Sequence, residues 1–150
     1  MQEIYVDADA CPVKEETFRV AERYGMPVHL VANGPLRVPP GGLVRMVVVS
    51  DGFDAADNWI AEKCGAGDIV VTADIQLAKR CLDNGAKVLG NNGRPFTAAN
   101  IGSALASRAL MQDLRDMGVV QGGNAPMTKA DKSKFLQELD KMVNEVKRGR

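Results

Sequence analysis

The sequence has little soft-metal or disulfide chemistry to offer. Its three cysteines, Cys11, Cys64 and Cys81, form no CxxC pair and are odd in number, and His29 is the one histidine that could join them. That pattern argues against a structural zinc site and a disulfide scaffold, and fits reduced thiols in a cytoplasmic protein. Apolar runs of bilayer length are also lacking, and the chain passes from Met1 into Ile4-Tyr5-Val6 without a basic segment or an apolar leader. We expect neither membrane span nor signal peptide. Net charge is missing too: 19 basic and 19 acidic residues cancel, so nucleic acid can be held only by a local patch.

What remains is ordinary globular material, 45% hydrophobic and 25% charged over 150 residues, which implies a folded core and a single domain spanning residues 1–150. Strand-like and helix-like segments alternate. Residues 3–7 form a first strand, and Pro12, Glu15 and Glu16 suit the first turn of a helix that Gly25 ends. Val28 to Ala32 is a second strand, followed by a loop through Asn33-Gly34-Pro35 and Pro39-Pro40-Gly41-Gly42. The β-branched run in Val44 to Ser50 reads as a strand buried on both faces, as in parallel sheets.

A helix carrying Ala56, Ile60 and Cys64 comes next, then a strand over Asp68 to Thr72, a helix over Ile75 to Leu82, a fifth strand at Lys87-Val88-Leu89 and a tight loop from Gly90 to Pro95. Thr97 is placed to cap a long helix over 98–117. A joint at 121–127 leads to a last helix, capped by Thr128, with Phe135, Leu139, Met142 and Val146 on its core face. The expected fold is a three-layer, doubly wound, mostly parallel five-stranded α/β sheet, Rossmann-like, with a C-terminal helical extension (118–150) packed on the same domain.

Ligands of such sheets bind outside the carboxyl ends of the strands, and here those ends are acidic. Strand one ends in Asp7-Ala8-Asp9, strand three leads to Asp51, Asp54 and Asp57, and strand four ends in Thr72-Ala73-Asp74. Converging carboxylates repel unless a cation neutralises them. Oxygen ligands without histidine favour Mg2+ or Mn2+. Asp74, Asp54 and Asp57 also suit helix capping, whereas Asp7, at the end of a mid-sheet apolar strand, is costly there unless paired or bound to metal. Lys79, Arg80 and Arg94 are candidate phosphate-binding residues, with solvated helix and turn positions as the plain alternative. His29 reads as an ordinary sheet histidine, Trp59 as packing, and Cys11 as a small buried residue before Pro12.

VDADACPVK (Val6 to Lys14), GFDAADNWI (Gly52 to Ile60), GDIVVTADIQLAKR (Gly67 to Arg80) and NIGSALASRALMQDLRDMG (Asn100 to Gly118) resemble the bacterial YaiI/YqxD family, which is related to PIN-like domains. The resemblance covers nearly the whole chain. It implies a PIN-like sheet with strand one beside strand four, and a nuclease that uses Mg2+ or Mn2+ on RNA, taken as single-stranded. On the PIN pattern Asp7 stands at the first acid, Asp57 at the helix-borne second and Asp74 at the third. Asn91 and Asn92 occupy the place of a fourth, and Asp9 and Asp54 are supporting acids. Asp7-Ala8-Asp9 also looks like the DxD of haloacid-dehalogenase phosphatases, with Asp7 as nucleophile and Asp9 as acid, although the later acidic pair of that superfamily is absent. A non-catalytic RNA- or nucleotide-binding module is the third reading, and self-association into a homo-oligomer stays open.

Overall fold

The structure, a computed structural model, describes residues 2–8, 11–50, 55–102 and 127–149. Six strands form one sheet in the order β3-β2-β1-β4-β5-β6. They are β1 (Ile4–Asp7), β2 (Val28–Ala32), β3 (Val44–Val48), β4 (Ile69–Val71), β5 (Lys87–Leu89) and β6 (Pro95–Phe96). The first five run parallel, and β6 pairs antiparallel with β5 through Val88 and Leu89. The expected five-stranded sheet is thus extended by a two-residue strand where the sequence suggested only a loop. Pro95 is tolerated there because β6 is the last strand, with one side outside the ladder.

Alternation along the strands builds three layers. Ile4 and Val6 of β1, with Val28, Leu30, Ile69 and Val71, face one side, while Tyr5, Val31, Val70 and Val88 face the other. Against the first face pack α1 (Lys14–Tyr24), through Val20 and Ala21, and α4 (Lys129–Lys147), through Phe135, Leu139, Val143 and Val146. Against the second pack α2 (Ala55–Lys63), through Ala56 and Ile60, and α3 (Ile75–Asp83), through Leu77 and Cys81.

Most capping signals work as the sequence implies, although Pro12 lies in the turn before α1 rather than in its first turn, Val13 being the N-cap. Gly25 ends α1 at φ 64°, a left-handed position natural to glycine. Thr128 and Asp131 exchange side-chain and backbone hydrogen bonds at the start of α4. Thr97 and Asn100 do the same where residues 98–102 begin a helix; its expected continuation to 117, and the joint at 121–126, lie outside the described residues. α4 is tied to α1 by Arg23 and Tyr24, which both donate to the Asp140 carboxylate, and Phe135 and Leu139 are fully buried beneath it.

One expectation is corrected. β3 is an edge strand rather than one buried on both faces: Arg45 is exposed and Val48 is 55% exposed. An unbroken apolar run looks the same at the edge and in the middle of a sheet, since it records side-chain type and not which strand pairs beyond it. The β2–β3 link, residues 33–43, is a loop without helix, as its prolines and glycines require.

Candidate functional site

β1 lies between β2 and β4, and the chain winds outward in opposite directions from it, so its carboxyl end is the topological switch point of the sheet. Asp7 closes β1 at that point, half-buried, with the Ala8 amide still bonded to Val31 O at 2.9 Å. From the position just beyond the neighbouring β4, the hydroxyl of fully buried Thr72 donates to Asp7 Oδ2 at 2.9 Å. The same hydroxyl accepts from the backbone amide of Asp74 at 3.0 Å. Asp74 in turn caps α3, its Oδ1 accepting from Gln76 N at 2.9 Å and Leu77 N at 3.2 Å. A single threonine hydroxyl therefore links the end of β1 to the turn into α3.

Around this link stand further polar groups. At the end of β2, Asn33 Nδ2 donates to Ser50 O at 2.7 Å, joining the ends of β2 and β3. Asn91, in the turn after β5, lies with its Oδ1 4.0 Å from the Cys11 thiol. Cys11 is buried, as expected, and its thiol is pushed above its usual range, chiefly by loss of solvent, while the nearby Lys14 charge opposes the rise and the Asp7 charge adds to it. Lys14 Nζ donates to Cys11 O at 2.9 Å.

The other described candidates have contacts of their own. Asp57 occupies the first turn of α2, half-buried, and its charge reaches the Cys81 thiol on α3, where it adds to the rise produced mainly by the hydrogen bond to Cys64. Asn92 Oδ1 accepts from Arg94 N at 3.0 Å and shapes the exposed turn. Lys79 pairs with Asp83 one helical turn away, both exposed, and Arg80 donates to Asn58 at 2.8 Å, holding α3 to α2. Arg94 is exposed. Asp9 and Asp54 lie outside the described residues. Among the described residues, no group of three or more acidic, histidine or cysteine side chains converges as a metal cluster. Nor, among them, is any helix long and apolar enough to cross a membrane.

At the opposite end of the sheet His29 behaves as the sequence suggests. Its ring stacks on Tyr5 with centroids 4.7 Å apart, its Nε2 lies 3.0 Å from Glu3 Oε1, and Trp59 packs at 5.9 Å from it. Burial, followed by the charges of Asp68 and Glu3, pushes the Tyr5 hydroxyl up to about 12.

The sequence reading overlooked Thr72 and Asn33 as members of the strand-end group. Thr72 and Asn33 each occupy the first position beyond a strand, and that position was the available signal.

Residues 5–145 match the family described as "Uncharacterized BCR, YaiI/YqxD family". A UPF0178 protein of Rhodospirillum centenum is 65% identical over the full length of both chains. One of Sphingopyxis alaskensis is 60% identical, with 97% of this chain and 96% of the relative covered. One of Parvibaculum lavamentivorans is 53% identical, with 99% and 97% covered. No solved structure matches the chain. With a family match over nearly the whole sheet and its helices, the chain belongs to the YaiI/YqxD family.

Proposed function

We propose that the protein is a PIN-like phosphodiesterase that cuts single-stranded RNA with Mg2+ or Mn2+ at the carboxyl ends of β1 and β4. The observation that carries this reading is the Thr72 hydroxyl coupling Asp7 to the Asp74 turn at the switch point. The donors there are carboxylate and amide oxygens, the set a hard divalent cation prefers over zinc. Asp7 and Asp74 would hold it, with Asp57, Asp9 or Asp54 as the further acid and Asn91 as a neutral neighbour. When bound, such a cation supplies positive charge against the phosphoryl oxygens and lowers the pKa of water.

The protein's own part is placement. Thr72 fixes one oxygen of Asp7, one of about four acceptor sites that a carboxylate has in all. The buried β1 and β4 beneath hold that arrangement rigid, as close packing of a strand core requires.

A second reading, a non-catalytic RNA- or nucleotide-binding module, is favoured by one feature: Asp74 is an N-cap with two backbone donors on one oxygen, which gives it a structural role without any metal. The phosphatase reading depends on Asp9.

The test is cleavage of a single-stranded RNA oligonucleotide with Mn2+, together with the melting temperature with and without metal. Wild type should cut RNA and melt higher with Mn2+, and Asp7→Asn should lose both effects while remaining folded. RNA binding without cleavage or metal-dependent melting would select the binding module. Turnover of phosphomonoesters through an aspartyl intermediate, with RNA left intact, would select the phosphatase.

A further inference from the structure

Cys64 and Cys81 meet on the α2–α3 side of the sheet, whereas Cys11 lies in the core on the other side. Cys64 follows the last turn of α2, its amide bonded to Ile60 O at 2.9 Å, and Cys81 lies on the buried face of α3. Asn84 joins the two. Its Nδ2 lies 4.0 Å from Cys64 Sγ and 2.6 Å from Ala61 O, while its backbone amide donates to Cys81 O at 3.1 Å. The Cys81 thiol donates to the Cys64 sulfur. These two donors draw the Cys64 thiol down to about 7, against burial and the Asp68 charge, and the Cys81 thiol holds its proton well above the usual range.

Exposure divides the pair: Cys64 is 6% exposed, beside exposed Glu62 and Lys63, and Cys81 is 0% exposed. A small solute therefore reaches Cys64 first. A sulfur at the solvent edge, hydrogen-bond donors that favour its thiolate and a second thiol in contact are the parts of a redox-active pair.

We propose that Cys64 and Cys81 are a reversible, peroxide-oxidised pair, with Cys64 the attacking sulfur and Cys81 the resolving one. The Cys64 thiolate attacks one oxygen of hydrogen peroxide, the O–O bond breaks, and hydroxide leaves and takes up a proton as water. Cys64 is then a sulfenic acid. The Cys81 sulfur attacks the Cys64 sulfur, the S–O bond breaks, and the hydroxyl leaves as water with the Cys81 proton. Two thiols and one peroxide become a disulfide and two waters, and a dithiol reductant restores the thiols. Neither step depends on the phosphodiesterase reading.

The experiment treats the reduced wild-type chain with a small excess of hydrogen peroxide, folded and in urea, quenches with iodoacetamide and maps the peptides by mass spectrometry. The folded protein should form the Cys64–Cys81 disulfide several-fold faster than the unfolded chain, leave Cys11 alkylatable and return to three free thiols with dithiothreitol. A 1,3-dione added with the peroxide should label Cys64 and not Cys81. Cys81→Ser, checked for folding by its melting curve, should accumulate that label because no second thiol remains; should it melt early, the labelling of wild type decides alone. A disulfide that forms no faster folded than unfolded, a label that appears first on Cys11 or Cys81, or a folded protein whose Cys64 stays unoxidised each overturns the proposal.

Discussion

Thr72 Oγ1 lies 2.9 Å from Asp7 Oδ2, and the two residues sit at the ends of adjacent parallel strands, 65 positions apart in sequence. Thr72 is fully buried, so this hydroxyl has no water to fall back on. It satisfies a half-buried carboxylate and the Asp74 amide together, and either group left unmatched would carry a desolvation cost.

Thr72→Val keeps the shape and removes both hydrogen bonds. It should cost about 2 kcal/mol of stability, the range for a buried bond to a charged group. Thr72→Ser should cost much less. Urea denaturation measures both, and a Thr72→Ser loss as large as that of Thr72→Val would show that the methyl group contributes as much there as the hydroxyl.

Asp74 separates cap from site. Asparagine caps a helix about as well as aspartate, so Asp74→Asn should leave the urea midpoint nearly unchanged, while Asp74→Ala should lose about 1 kcal/mol. RNA cleavage with Mn2+ should fall in both variants. Wild-type cleavage by Asp74→Asn would confine Asp74 to capping.

Buried Asp68 accepts from Gly65 N at 3.0 Å and Glu3 N at 3.1 Å, yet loss of solvent holds its carboxyl above the ordinary 3.8. A raised folded-state pKa means that the folded protein binds the proton more tightly than the unfolded chain. The stabilisation is complete below 3.8 and is lost as pH rises through the folded pKa. Measured against Asp68→Asn in urea, wild type should therefore lose relative stability as pH climbs from 3.8, then level off. A difference that is flat, or that grows with pH, would contradict this.

Gly93 has φ 81°, and a Cβ there would come within 3.0 Å of Phe135 N and 3.1 Å of Phe135 Cα. The turn after β5 thus rests directly on the backbone of α4. Gly93→Ala should destabilise by about 1–3 kcal/mol through strain, and Phe135→Ala by about 3–5 kcal/mol through a core cavity. Chemical denaturation reads both, and a neutral Gly93→Ala would mean that the turn can move away from the helix.

Periodicity and capping chemistry made most of the fold legible. Val20 and Ala21 of α1, Phe135 and Leu139 of α4, Gly25 and Thr128 stand where local spacing puts them, because amphipathic faces and helix ends are written in neighbouring residues. β3 was misjudged and β6 overlooked: one was placed in the interior of the sheet and the other read as a loop, since edge and centre depend on pairing with distant strands.

The same division runs through the candidate site. By itself the sequence determined the alternation of strand and helix and the aspartates that end β1 and cap α3 after β4, since side-chain period and helix capping act over a few residues. Only the tertiary structure decided that Thr72 spans Asp7 and the Asp74 amide, that Asn91 reaches Cys11, and that Lys79 and Arg80 are engaged on α3. These contacts join residues on different strands, helices and turns, and their distances are set by sheet order and helix packing, which no local spacing encodes.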